Sequence, residues 1–237
     1  MRVIGYSQSF DILDKVLTQN IHDVLSRIAA AANKAGRDPA TIRLVAVSKM
    51  HPPSAVREAI AAGLAVFGEN KVQEAESKIA EVGREGVEWH LIGHLQSNKA
   101  RRAVQLFDVI QSVDSLDLVQ RLERICKEEG RERLPVLIQV DLAGEATKSG
   151  VAEANLPELV KFLVGGKHLD LQGLMVLPPF FDDPEATRPY FRRLRELRDR
   201  ILPGGELSMG MSHDLEVAIE EGATIVRVGT AIFGSRS

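Results

Sequence analysis

The sequence predicts an α/β protein of the closed eight-stranded type, a (β/α)8 TIM barrel, with one extra helix at the amino terminus. Three observations predict it. Eight short apolar runs rich in Val, Ile and Leu recur along the chain with little alternation, the pattern of strands buried on both faces. Helical patterns separate them, and strand–helix alternation implies a parallel sheet. The 237 residues hold no linker or low-complexity segment, and this length suits one barrel domain spanning 1–237. A doubly wound open sheet fits the same alternation but leaves two edges to be covered.

Residues 1–10 carry no legible pattern. From Ile12 to Ala35 apolar residues recur at helical spacing (Val16, Leu17, Ile21, Val24, Leu25, Ile28), and Gly36 and Pro39 close the segment. Leu44–Lys49 is the first strand. Pro52 and Pro53 suit the first turn of the helix that follows, Ser54 to Ala62. Ala65–Gly68 is the second strand and Lys71 to Val82 its helix. Trp89–Gly93 is the third, with a helix from Ser97 to Leu106; Asp108–Ser112 is the fourth, with a helix from Leu116 to Lys127. Leu134–Val140 is the fifth, followed by a polar loop through Gly150 and a helix over Leu156 to Leu163. Leu169–Val176 is the sixth, ended by Leu177-Pro178-Pro179, and Pro184 to Ile201 is an arginine-rich helix whose charges form a solvated face. Glu206–Met209 is the seventh, with a helix over Asp214 to Glu221. Ile225–Val228 is the eighth, and Gly229 to Gly234 is a closing turn.

Composition narrows the function. An apolar fraction of 44%, a charged fraction of 27% and a net charge of -3 describe an ordinary globular protein with no electrostatic reason to bind nucleic acid or an anionic membrane. No apolar run approaches the ~20 residues of a membrane span, and no leader pattern opens the chain. The one cysteine, Cys126, lies in a helical pattern and cannot form an internal disulfide. A cytoplasmic protein is expected.

Chemistry gathers where the strands end. Lys49 stands at the carboxyl end of a buried strand, facing a strand-to-helix loop, where α/β proteins bind ligands. It is either a solvated loop lysine or, partly desolvated, an amine nucleophile toward a carbonyl. The same face is expected to hold Glu69, Asn70, His94, Ser112, Asp141, Met175, Met209, Ser212, Arg227, Gly229 and Thr230. Barrels bind phosphate with the loops after strands seven and eight. Here those loops read Gly210-Met211-Ser212-His213 and Gly229-Thr230-Ala231, offering backbone N–H groups and hydroxyls at helix starts. Simple helix capping by Ser212 and a turn at Gly229 is the alternative. Alternation puts Arg227 on the same face as Ile225, buried or aimed into the mouth, and a buried guanidinium needs a partner, a structural carboxylate or a ligand acceptor. Other motifs fail. Gly144 to Ser149 lacks the glycine before lysine that a phosphate-binding P-loop needs. His90 and His94 have Leu91 where a helical zinc site needs Glu, so no metal is expected.

These residues carry a resemblance. Leu44-Val45-Ala46-Val47-Ser48-Lys49, Phe67 to Glu74 (FGENKVQE), Trp89 to Lys99 (WHLIGHLQSNK), Gly173-Leu174-Met175, Leu207 to Ser212 (LSMGMS) and Val226 to Gly234 (VRVGTAIFG) resemble the family of pyridoxal phosphate homeostasis proteins. The family is similar to the barrel domain of bacterial alanine racemases without its carboxyl-terminal β domain. The resemblance implies a barrel that binds pyridoxal 5'-phosphate (PLP). It implies a Schiff base on Lys49, phosphate held by Ser212, Gly229 and Thr230, Arg227 at the pyridine nitrogen and Asn70 near the ring. One loop departs: many members read Asn-x-Ser where this chain has Asp141-Leu142-Ala143.

The family's role is in the intracellular supply of PLP, by buffering or by delivery to PLP-dependent apoenzymes, and a monomer is the expected state. The alternatives are a PLP-dependent amino-acid racemase and a Schiff-base aldolase without PLP. A two-base racemase needs an acid/base on the second face of the cofactor, which in alanine racemases is a tyrosine of the missing domain. The only tyrosines here are Tyr6 and Tyr190. An arginine at the pyridine nitrogen also weakens the electron-sink role of PLP. A non-catalytic carrier is therefore the expected function.

Overall fold

The structure is a computed structural model that describes residues 7–144 and 149–234. Its described strands, in chain order, are β1 (Arg43–Val47), β2 (Val66–Glu69), β3 (Glu88–Leu91), β4 (Val109–Val113), β5 (Leu134–Asp141), β6 (Val151–Ala152), β7 (Leu169–Val176), β8 (Glu206–Ser208) and β9 (Ile225–Val228). All pairings are parallel, and β4 pairs with β5, so eight strands close into a barrel of order β1-β2-β3-β4-β5-β7-β8-β9. The two-residue β6 pairs with the end of β5 at the rim, Val140 against Val151. The sequence pattern assigns no element to this stretch, which follows the polar loop ending at Gly150, because two residues are too few to show a period.

The helices alternate with the strands. They are α1 (Ser7–Lys34), α2 (Pro53–Ala61), α3 (Val72–Val82), α4 (Ala100–Leu106), α5 (Leu116–Glu128), α6 (Leu156–Gly165), α7 (Arg188–Ile201), α8 (Leu215–Glu220) and α9 (Thr230–Phe233). The expected starts at Ser97 and Pro184 are single 3-10 turns leading into α4 and α7. The expected closing turn after β9 winds into the short α9.

Strand alternation sorts the core into two layers. Val45, Val109, Leu137 and Ile225 point inward and fill the barrel. Phe67 and Trp89 point outward, their rings 5.6 Å apart, within the larger layer of buried side chains between strands and helices. Cys126 is buried in that layer, where burial pushes its thiol up to about 11. The extra helix α1 lies against α8 and α9. Its Arg27 donates to Glu216 at 2.6 and 2.9 Å and to the Ser212 carbonyl at 2.9 Å, and Asn20 donates to the Ile232 carbonyl. The amino-terminal helix thus braces the two loops that follow β8 and β9. No helix among the described residues is long and apolar enough to cross a membrane.

Candidate functional site

A cavity of about 240 Å³ opens at the carboxyl-terminal mouth of the barrel. Lys49, Asn70, Ser212, Arg227, Gly229 and Thr230 all line it, with Val47, Ile92, Leu177, His51, His213, Met211 and Gly234. Its walls combine an apolar floor with converging polar groups, as small-molecule sites do.

Each polar group is set by the strand beneath it. Lys49 continues the inward alternation of Val45 and Val47. It is half-buried. Asn70 follows the outward-facing Glu69 and turns in. The loop after β3 presses against Asn70: a Cβ at Gly93 would fall 2.4 Å from the Asn70 carbonyl oxygen, so only glycine fits there. The Ser212 hydroxyl accepts from the Ala231 N–H at 3.2 Å, joining the β8 and β9 loops. The N–H of Met211 donates to Asp214 at 2.7 Å, so Asp214 rather than Ser212 closes the turn before α8. Burial pushes the Asp214 carboxyl above its ordinary range, opposed by the Met211 N–H and by Arg227. Gly229 packs against the Val47 carbonyl oxygen, 3.1 Å from where a Cβ would sit. On the rim, His51 stacks on Phe233 at 4.9 Å and His213 meets Phe180 at a tilt, their rings 5.6 Å apart.

Arg227 is almost fully buried yet reaches the cavity. Its guanidinium donates to the Ser208 hydroxyl at 2.5 Å and to the Val176 carbonyl at 2.9 Å. Burial pulls it down to about 10, with Asp214 acting in the other direction, so it remains a cation at neutral pH. The partner that a buried guanidinium demands is therefore neither of the two expected kinds alone: hydroxyl and carbonyl acceptors hold it, and donors remain for a ligand.

Several residues expected at the mouth do not line the cavity. Glu69 points outward and pairs with Lys78 of α3 at 2.5 Å, accepting also from Ser48 at 2.6 Å. Its burial raises the carboxyl above the usual range, with Lys78 opposing, and its Oε2 has no hydrogen-bond partner. Ser112 donates to the Gly93 carbonyl. Asp141 accepts from the N–H groups of Ala143 and Gly144 and so folds its own loop. Met175 and Met209 are packed in the interior. His90 and His94 part company: His90 is fully buried inside the barrel, whereas His94 is exposed and sits 2.9 Å from Asp114. Tyr190 packs on Phe181 at 6.0 Å and does not line the cavity; Tyr6 lies outside the described residues.

Sequence reasoning missed His51 and His213 as cavity residues. His51 stands two residues after Lys49 and His213 directly after Ser212, and no spacing rule marks either of them. It also missed Lys78, a buried lysine in the middle of a helix. The one available signal was its spacing four residues after Glu74.

The fold and the cavity define a class, and comparison with known proteins identifies it. Residues 20–237 match the family model described as alanine racemase, N-terminal domain. The pyridoxal phosphate homeostasis protein of Pseudomonas aeruginosa is 49% identical over 221 residues, covering 93% of this chain and 96% of that protein. The protein of the same name from Aquifex aeolicus is 43% identical over 225 residues, covering 92% and 97%. Among solved structures, PipY of Synechococcus elongatus PCC7942 with PLP bound is 44% identical with a TM-score of 0.77, covering 87% of this chain and all of that one. The chain belongs to the pyridoxal phosphate homeostasis protein family.

Proposed function

We propose that this chain binds PLP in the mouth cavity, covalently through a Schiff base on Lys49, and serves intracellular PLP homeostasis by buffering the cofactor or delivering it to apoenzymes. The observation that carries the reading is the convergence of Lys49, Arg227 and the Ser212 and Gly229-Thr230 loops on one cavity. The donor set fits the cofactor. A primary amine suits the aldehyde, hydroxyls and loop N–H groups suit the phosphate, and a guanidinium with donors to spare suits an unprotonated pyridine nitrogen. Asn70 lies beside the ring in this reading. A likeness to PipY, whose structure was solved with PLP bound, supports the ligand.

PLP supplies an aldehyde and an electron-withdrawing ring to whatever site holds it. With PLP bound, Arg227 would face the ring nitrogen as a donor and disfavour a proton there, and no tyrosine among the described residues lines the cavity to serve a second face. These features favour carriage over turnover. The whole chain, 1–237, acts as one domain and as a monomer, in the cytoplasm.

The test is the absorption spectrum of the purified protein incubated with PLP, before and after borohydride. A visible band that borohydride abolishes, with the label mapped to Lys49, supports the reading. A protein that stays colourless with PLP, or a label on Lys71 or Lys99, overturns it.

A further inference from the structure

A line of polar side chains crosses the barrel interior beneath the cavity. It begins at Arg227, which donates to Ser208 Oγ. Ser208 donates to Gln111 Oε1 at 2.6 Å. Gln111 Nε2 lies 2.6 Å from His90 Nδ1, and His90 Nε2 lies 2.7 Å from a carboxylate oxygen of Glu88. Glu88 opens β3 and therefore stands at the opposite face of the barrel, where Arg43 also meets it at 3.4 Å. Arg227, Ser208, Gln111 and His90 are all buried, so each polar group depends on its neighbours in the chain.

The inventory of donors fixes one direction. A guanidinium only donates, so Ser208 accepts from Arg227 and its hydroxyl hydrogen goes to the Gln111 carbonyl. The Gln111 amide then donates to His90 Nδ1, which must be bare. The remaining ring proton sits on Nε2 and points at Glu88. Every link is satisfied by one neutral histidine tautomer. Turning the Gln111 amide over would face its oxygen to Nδ1, require an imidazolium, and leave the Ser208 hydrogen without that acceptor.

We infer that Ser208, Gln111 and His90 are positioning residues for Arg227, fixing its guanidinium so that the cavity selects a ligand ring carrying a hydrogen-bond acceptor at that point. The selectivity part rests on the proposed binding of PLP; the direction of the chain does not.

Two measurements test it on the full chain. Nitrogen-detected NMR of the ligand-free protein at neutral pH should show His90 as the neutral Nε2–H tautomer; an imidazolium or an Nδ1–H tautomer overturns the assigned direction. Affinities for PLP and for its 1-carba analogue, in which C–H replaces the ring nitrogen, should then be compared in wild type, Ser208→Ala and Gln111→Met. Wild type should prefer PLP by about tenfold or more, as a lost charge-assisted hydrogen bond implies. Both variants should lose most of that preference while binding the analogue nearly as well as wild type does. Equal weakening of both ligands means a packing defect and overturns the inference, as does a wild type that binds both alike. A wild type that binds neither refutes the proposed function instead, leaving the tautomer to judge the chain. Should Gln111→Met fail to fold, Ser208→Ala removes a single oxygen and carries the comparison.

Discussion

The Lys78 ammonium lies 2.7 Å from the carbonyl oxygen of Ser48, the residue immediately before Lys49. The same ammonium pairs with Glu69 at 2.5 Å and Glu74 at 3.1 Å. Glu74 in turn accepts from the backbone N–H of Met50, the residue immediately after Lys49, whose φ of 65° is rare for a non-glycine residue. Both chain neighbours of Lys49 are therefore tied to α3 through one buried cation. Its site is fixed from outside the barrel.

Lys78→Met should strip Glu69 of its counter-ion while leaving it buried. Removing one partner of a buried pair typically destabilises by about 3–5 kcal/mol, and urea unfolding should show a loss in that range. Lys78→Met combined with Glu69→Gln should be less destabilised than Lys78→Met alone. A single variant as stable as wild type would show the pair to be dispensable.

Phosphate anchoring should depend on the hydroxyls of Ser212 and Thr230 together with neighbouring backbone donors. Ser212→Ala with Thr230→Val should weaken PLP more than phosphate-free pyridoxal, each hydroxyl contributing about 1.5–3 kcal/mol if its bond to the phosphate is charge-assisted. Titration of both ligands against both proteins decides it; equal loss for the two would remove these side chains from the phosphate site.

Turnover of alanine should be negligible. Lys49 can act as a base on one face, but inversion needs a second acid/base, and the absence of one such group typically removes about 10²–10⁴-fold of rate. Incubation with L-alanine in heavy water, read by chiral chromatography and mass, should give little deuterated D-alanine. Robust formation that vanishes in Lys49→Ala would establish a racemase.

Acid sensitivity should trace in part to Glu221, a nearly buried carboxylate met by Arg188 at 3.1 Å, Arg192 at 2.9 Å and Arg195 at 3.0 Å. Burial alone would push it up, but its bonds to Arg192 and Arg188 outweigh that and hold it below the ordinary range. A carboxyl depressed in the folded state stabilises above its unfolded pKa, and that contribution is lost as pH falls through the folded value. Glu221→Gln should therefore cost about 1–3 kcal/mol at neutral pH, and its deficit should shrink below pH ~4. A deficit independent of pH would assign Glu221 a packing role only.

The barrel was legible because its signal is repetitive: each buried strand is a short apolar run, and a miss at one leaves seven others. The ends of β1 and β9 were legible for another reason, since a lysine or arginine closing such a run conflicts with its surroundings and invites a ligand. What stayed hidden depends on pairing across the sequence. Glu69 reads as a mouth residue until the outward pleat and Lys78 are known. Ser208 and Gln111 pass unremarked in their own runs and His90 is weighed only as a metal ligand; Gln111 and His90 lie on the neighbouring strands β4 and β3, and only barrel closure brings Ser208 of β8 into line with them.

The register that sets Val45 beside Arg227 joins the first strand of the barrel to its last. Lys49 follows β1 and the Gly229-Thr230 loop follows β9, so the two sides of the cavity are distant along the chain and meet only through the pairing of these strands. The cavity becomes whole only when this seam shuts, a long-range closure that comes at a high entropic cost. A ligand gripped from both sides would then act as a clasp across the seam, adding to the stability of the finished barrel in proportion to its occupancy.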